Sequence, residues 1–324
     1  MKALQGVDGH VAWVEAERPA CDAGQVRIRV AAAGLNRADL LQMKGLYPPP
    51  PGASPYMGLE CAGVVSEVGA GADWRVGDRV CALLASGAMA EEVVVDARHV
   101  LPVPEGLSLH EAAALPEVYA TAWLNIFQLG RVKAGEKVLV HAGASGVGSA
   151  AIQLCKAFGS PVWVSVGSQD RLAYCEALGA AGGVVRNENL EALEAIGPFD
   201  VILDPVGASY GELNLKLLAR DGRWLIIGLM GGRSFELDLA QILTKRIQLQ
   251  GSTLRNRDDS FKAELISTLR KDVWPLFSEG RLDPQLVRTY PVEQAQEALD
   301  ELASNQIAGK LVVIIEPLDQ PATC

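Results

Sequence analysis

Histidine and cysteine are scarce in this chain, and those present are scattered. The 324 residues include four histidines (His10, His99, His110, His141) and six cysteines (Cys21, Cys61, Cys81, Cys155, Cys175, Cys324). None falls into a CxxC, HxxxH or HExxH spacing. Such spacing supports neither a disulfide framework nor a cluster of zinc ligands. Basic residues are in deficit, 29 against 39 acidic ones, for a net charge of −10. An acidic surface disfavours nucleic acid and anionic membrane as partners, because phosphate binding needs a basic face. No apolar run approaches the roughly 18 residues of a membrane span. The strongest, Trp224 to Met230, is broken by Gly228. Met1 to Pro19 carries acidic and polar residues where a secretory leader needs an apolar stretch. The expectation is a cytoplasmic, reduced protein. At about 150 residues per domain the length predicts roughly two domains, each able to bury a core without metal or disulfide staples.

What is present changes character along the chain. Up to about residue 115, short alternating or apolar runs lie between turn signals. These are Gln25 to Ala31, Ala62 to Val68, Asp78 to Leu83 and Ala90 to Val95, punctuated by Gly69-Ala-Gly71 and Gly77-Asp78. Strands so spaced, without helices between them, predict an antiparallel, barrel-like domain. Leu109 to Leu129 is Ala-rich with helical spacing, interrupted at Pro116. From Lys137 onward, apolar runs alternate with helical patterns through Pro161–Val166, Gly183–Val185, Phe199–Asp204, Arg223–Gly228 and Gln248–Ser252. That rhythm predicts a doubly wound parallel sheet buried on both faces. Two helices (Ser260 to Phe277, Val292 to Ala303) and a lone strand from Lys310 follow. A single strand forms no sheet alone, so it is expected to return to the first domain and make that domain discontinuous. The expected fold class is α/β, with a substrate domain over 1–119 and 259–324 and a Rossmann domain over 120–258. Residues 317–324 are expected to fray.

The segment His141-Ala-Gly143-Ala-Ser145-Gly146-Val147-Gly148 follows a strand and opens a helix. Glycines let the backbone approach a pyrophosphate, whose charge meets the N–H groups and dipole of the helix start. The strict G-x-G-x-x-G spacing is absent, but the loop follows the first strand of a βαβ run. The next strand ends at Gly167-Ser168-Gln169-Asp170-Arg171. An NAD site usually has an acid there for the ribose hydroxyl. Small residues plus a guanidinium suit a 2′-phosphate and point to NADPH. The alternative makes Asp170 the ribose ligand and Arg171 a solvated helix residue. Arg186, at the end of the third strand, is either a second phosphate contact or a surface residue.

With these residues in view, the chain resembles the zinc-independent, zeta-crystallin-like quinone oxidoreductases of the medium-chain dehydrogenase/reductase superfamily. The likeness runs through Asn36-Arg-Ala-Asp39, Gly45-Leu-Tyr47 with Pro48 to Pro51, Gly58-Leu-Glu60, the Ser145-Gly-Val-Gly148 loop, Asp221-Gly-Arg-Trp224 and Gly251-Ser-Thr-Leu-Arg-Asn-Arg257. The Ser-Gly-Val-Gly loop and Gly228-Leu-Met-Gly-Gly232 look most like the p53-inducible subgroup. The resemblance implies a GroES-like first domain, NADPH as cofactor, a homodimer, and quinone reduction by hydride transfer in an interdomain cleft. It also implies that Asn36 and Leu59 stand where the superfamily's alcohol dehydrogenases carry zinc ligands; neither side chain replaces a thiolate or an imidazole. By the same resemblance Asn36 and Thr121 approach the nicotinamide, and Ser145, Gly146, Val147 and Gly148 cradle the pyrophosphate. Gly167, Ser168 and Arg171 would hold the adenosine phosphate. Gly228, Leu229, Met230, Ser252 and Thr253 would line the nicotinamide and substrate cleft. The family often stacks a tyrosine near the adenine, where this chain has Arg186.

Quinones are strongly oxidising, so positioning and desolvation suffice without a Lewis acid. A donor to the substrate oxygen is the most useful polar group. Tyr47 is the leading candidate, its phenol held by the stiff proline run; the alternative is a surface tyrosine capping that loop. Ser145 either assists or only binds phosphate. Glu60 and Asp39 either stabilise the barrel or act as general acids. Asp204, near the expected cleft, and His141 read as structural. Arg255 and Arg257 read as substrate-side or interface cations or as solvated charges at a helix start. The run Arg223 to Leu229, taken as an edge strand, would pair with a second copy. Two other activities stay open: reduction of α,β-unsaturated carbonyls, and cofactor or RNA binding with little turnover. The acidic surface and lack of basic–aromatic clusters argue against RNA.

Overall fold

The structure, a computed structural model, describes residues 1–318 apart from the Asn189 side chain. Most of the tail expected to fray, 319–324, lies outside the described residues. The chain divides into two compact units, 1–120 with 254–324, and 121–253.

The first unit opens with a hairpin, β1 (Lys2–Val7) and β2 (His10–Glu15), which forms its own two-stranded sheet. Its turn is Asp8-Gly9, both at positive φ (50° and 84°), the conformation that a two-residue hairpin loop requires. Next come β3 (Gln25–Gly34), β4 (Glu60–Val68), β5 (Arg79–Leu83), β6 (Glu92–Asp96) and β7 (Val100–Pro102), all paired antiparallel. The alternation at the start of β3 works as written: Val26, Ile28 and Val30 are buried and Arg29 faces out. Arg27 departs from it, lying buried with its guanidinium on Glu67 at 2.9 Å.

The second unit holds β8 (Val138–His141), β9 (Val162–Val166), β10 (Gly182–Val185), β11 (Phe199–Asp204), β12 (Leu218–Ile226) and β13 (Gln248–Gly251). All pairs are parallel and the order is β10-β9-β8-β11-β12-β13. This is the strand order 3-2-1-4-5-6 of a doubly wound nucleotide fold. The four residues of β8 are all buried, as a central parallel strand demands. Trp224, Phe199, Leu139 and Ile202 form the centre of this unit's core.

The chain then returns to the first unit. The stretch read as one helix from Ser260 to Phe277 is two, Asp259–Asp272 and Trp274–Ser278. Pro275 has no N–H to continue the first helix and sits instead in the opening turn of the second. β14 (Leu286–Pro291) and β15 (Lys310–Ile314) complete a seven-stranded sheet, ordered β14-β15-β3-β4-β5-β7 with β6 on β3.

Two sequence expectations are corrected here. The last strand does rejoin the first domain, on β3, but it is not alone: β14 pairs parallel to it. No residue of β14 is fully buried; three are exposed and three half-buried, so the strand carries little apolar alternation. Nor is the run from Arg223 an edge. β12 lies between β11 and β13, and the edge is the exposed β13. No helix among the described residues is long and apolar enough to cross a membrane.

Candidate active site

In the second unit, β8 delivers the chain to a tight loop and then to the helix Gly146–Ala157. Ala142 is forced to φ 53°, a costly conformation for a residue with a Cβ. Ser145 Oγ caps the helix by accepting from Gly148 N at 3.1 Å. A methyl on Gly148 would stand 2.4 Å from Gly143 O and 2.6 Å from Ala142 O, so backbone contact excludes any side chain there. Ser145 is exposed, Gly146 and Val147 are half-buried, and Gly148 is buried. Ser149 follows, with Oγ 3.0 Å from Tyr174 Oη.

At the end of β9, two guanidinium groups approach the same glycine. A methyl on Gly167 would lie 2.9 Å from Arg171 Nη1 and 4.0 Å from Arg186 Nη2. Neither arginine makes an ion pair among the described residues. Burial and then the charge of Arg186 lower the pKa of Arg171. Tyr210 lies close by: burial raises its phenol pKa, partly offset by the Arg186 charge. Ser168 is half-buried, and Asp170 is exposed in the first turn of the helix Gln169–Leu178.

Beneath this surface lies a closed polar chain. His141 Nδ1 meets Ser165 Oγ at 2.7 Å and its Nε2 meets Asn214 Oδ1 at 2.8 Å. Asn214 Nδ2 and Trp224 Nε1 both donate to Asp204 Oδ2, at 3.0 and 2.9 Å. Asp204 Oδ1 accepts from Val206 N and Gly207 N. His141 and Asp204 are therefore structural, as their sequence context indicated. Burial lowers the His141 pKa, against the pull of Asp204 and the hydrogen bond to Asn214. The turn after Asp204 clamps the Gly228–Gly232 loop, with Met230 N on Pro205 O at 3.2 Å and Gly231 N on Val206 O at 2.7 Å. Gly228 is half-buried, while Leu229 and Met230 are exposed. Ser252 Oγ is buried with no hydrogen-bond partner among the described residues, and Thr253 beside it is exposed. Thr121 is half-buried, its carbonyl accepting from Asn125 Nδ2 at 2.8 Å.

In the first unit, Asn36 and Tyr47 occupy separate clusters. Asn36 is buried and its amide is engaged at both ends: Nδ2 donates to Glu60 Oε1 at 2.8 Å, and Oδ1 accepts from Lys310 Nζ at 2.9 Å. Lys310 Nζ also reaches Glu60 Oε1 at 2.6 Å and Leu35 O at 2.7 Å. Glu117 N, at the start of the helix Pro116–Trp123, donates to Glu60 Oε2. Removing one partner from such a buried pair typically costs about 3–5 kcal/mol. Asp39 closes the group by accepting from Asn36 N at 2.7 Å, but its Oδ1 is buried without a partner. Burial, opposed by that backbone hydrogen bond and by Lys310, raises its pKa to about 7. Glu60 and Asp39 are thus framework carboxylates. Among the described residues, no group of three or more His, Cys, Asp or Glu side chains is placed to hold a metal ion.

Tyr47 is half-buried on the loop after the helix Arg37–Met43, and its Oη makes no hydrogen bond among the described residues. Arg255 lies against it, the guanidinium carbon 4.9 Å from the ring centre. Arg255 is not a solvated residue at a helix start; it is only 4% exposed. Arg257, by contrast, is half-buried against the Phe261 ring. Sequence reasoning missed two things here: the hold of Arg255 on the Tyr47 loop and the Lys310–Glu60 pair. Their partners are 208 and 250 residues apart, and no local pattern marks them.

Fold and site together define an oxidoreductase with one GroES-like and one Rossmann-type unit. Residues 22–105 match the family pattern described as alcohol dehydrogenase GroES-like domain, and 146–271 match zinc-binding dehydrogenase. The synaptic vesicle membrane protein VAT-1 homolog of Danio rerio is 31% identical over 97% of this chain and 69% of its own length. The Escherichia coli quinone oxidoreductase, solved in complex with NADPH, is 26% identical with a TM-score of 0.85, covering 97% of this chain and all of that one. The CurK enoyl reductase is 27% identical with a TM-score of 0.84, covering 97% of this chain and 98% of that one. The chain belongs to the medium-chain dehydrogenase/reductase superfamily.

Proposed function

We propose that the protein is an NADPH-dependent, zinc-independent quinone reductase of the zeta-crystallin-like branch. The observation that carries the cofactor reading is the Arg171–Arg186 pair, converging on Gly167 without an acid between them. Two like charges held together are unfavourable unless an anion comes between them, and a 2′-phosphate fits that need. The crowded Gly148 loop at a capped helix start suits a pyrophosphate. The orphaned Ser252 hydroxyl suits a polar group of the nicotinamide.

When bound, NADPH supplies the hydride. The chain's own residues orient and protonate. Gly167, Ser168, Arg171 and Arg186 hold the adenosine phosphate. Ser145, Gly146, Val147 and Gly148 meet the pyrophosphate. Thr121, Gly228, Leu229, Met230, Ser252 and Thr253 shape the nicotinamide end. Tyr47 Oη, which makes no hydrogen bond among the described residues, donates to the substrate oxygen as negative charge develops there. Ser145 assists from the loop. Asn36 acts through its fixed place between Glu60 and Lys310.

The similarity to CurK enoyl reductase favours a second reading, reduction of enones, in which the hydride goes to a β-carbon. NADPH oxidation measured against a panel of quinones and enones separates the two. Turnover with quinones well above enones is expected, and no quinone turnover would sink the proposal. We also propose a homodimer through β13, whose exposed edge carries Leu249. A solution mass of 34.4 kDa, that of one chain, would remove it.

A further inference from the structure

Arg255 is a buried cation with no ion-pair partner in direct contact among the described residues. Its Nε donates to Ala85 O at 2.7 Å, Nη1 to Tyr47 O at 2.8 Å, and Nη2 to Gln42 Oε1 at 2.5 Å and Ser86 Oγ at 3.1 Å. All four acceptors are neutral oxygens, and Arg255 forms no ion pair among the described residues. These hydrogen bonds, to three carbonyl oxygens and a hydroxyl, satisfy the guanidinium's donors but set no carboxylate directly against its charge, a costly arrangement in a fold. One face of the group is turned to the Tyr47 ring at 4.9 Å, within cation–π range. The same residue therefore ties down the Tyr47 main chain and sets a positive charge beside the Tyr47 phenol. The phenol itself is partly open and has no acceptor of its own.

We propose that Arg255 is a positioning residue for the Tyr47 phenol, fixing its place and offsetting the negative charge left when the phenol gives up its proton. The inference rests on the reading of Tyr47 as the proton donor. In that step the O–H bond of Tyr47 breaks, its electron pair stays on Oη, and the proton joins the reduced substrate's oxygen. The hydride comes from the reduced nicotinamide, so one hydride and one proton convert quinone to hydroquinone, and water returns the proton to Oη. The phenolate is the point of need: a ring that gains charge binds an adjacent guanidinium more strongly. The groups facing the pair act in both directions. Burial raises the Tyr47 pKa, Arg255 lowers it and Glu117 raises it. Burial lowers the Arg255 pKa, opposed by Tyr47, Asp39 and Glu117. Lys262, on the helix Asp259–Asp272, is buried near Arg255 and adds positive charge to the same region.

The test follows ionisation of Tyr47 by ultraviolet difference titration in wild type and Arg255→Gln, each with the matching Tyr47→Phe titration subtracted to remove the other tyrosines. Arg255→Gln is expected to raise the Tyr47 pKa by about one unit or more, and to move the upper limb of the kcat profile by the same amount. An unmoved Tyr47 pKa in a folded Arg255→Gln protein overturns the proposal. Arg255→Lys keeps the charge but loses the fork on Tyr47 O. Its kcat is expected to fall about tenfold with KM little changed and the upper limb in place. A wild-type kcat in Arg255→Lys overturns the positioning role, and serves as the deciding result where the Gln variant does not fold. Tyr47→Phe alone reports on the underlying reading. If it turns over like wild type while the Tyr47 pKa still responds to Arg255, the donor role is wrong, and the positioning role of Arg255 in the reaction falls with it.

Discussion

Single residues carry most of what is unusual in this molecule, and Asp39 is the most exposed to test. Its carboxyl is wholly buried near Lys310 and Glu60, with one oxygen unpartnered and a pKa raised to about 7. In the unfolded chain it ionises near 4. Below about pH 4 both states hold the proton. Between about 4 and 7 only the folded state does, so stability falls as pH rises and the loss is complete above about 7. Asp39→Asn removes that dependence, because Asn Oδ1 still accepts from Asn36 N. Urea unfolding of both proteins at acid and mildly alkaline pH is expected to show wild type losing roughly 2–4 kcal/mol more than the variant across the range. Parallel stability curves would refute the assignment. The sequence could not reveal this. Asn36 and Asp39 are local, but Glu60 and Lys310 join them only through strand pairing of β15 on β3 and β3 on β4. The same holds for Arg255, which from sequence alone reads equally well as a helix-start charge.

Elements were more legible than residues where their local signals were strong. The inner parallel strands stood out as apolar runs, because strands covered on both faces carry no polar alternation, whereas the edge strand β13 is exposed along its length. β1 and β2 were passed over although Asp8-Gly9 is a strong hairpin signal, since their burial is mixed rather than alternating. β14 gave almost no signal, because none of its residues is fully buried. Among the elements that form the candidate site, the loop before the helix Gly146–Ala157 is the most constrained. It combines Ala142 at positive φ, the Ser145 cap and the crowded Gly148. A Gly148→Ala methyl has to push the Gly143 carbonyl outward. The variant is expected to lose about 1–3 kcal/mol of stability and to bind NADPH at least about tenfold more weakly, in urea unfolding and fluorescence titration. Unchanged binding would mean that the loop does not hold the pyrophosphate.

At the scale of the whole molecule, a net charge of −10 coexists with a local pair of unneutralised arginines. The overall charge argues against polyanionic partners, while the pair marks one place where a single small polyanion is favoured. Arg171 was readable from its place after β9. Arg186 was readable only as one of two alternatives, a second phosphate contact or a surface residue, because its approach to Gly167 depends on how β10 lies beside β9. The central claim is that this pair selects the phosphorylated nucleotide. The most direct measurement is the dissociation constant of NADPH and of NADH for wild type and for Arg171→Ala with Arg186→Ala. NADPH is expected to bind at least about tenfold tighter than NADH, with most of that difference gone in the double variant. Equal affinities in wild type, or a preference for NADH, would contradict the account.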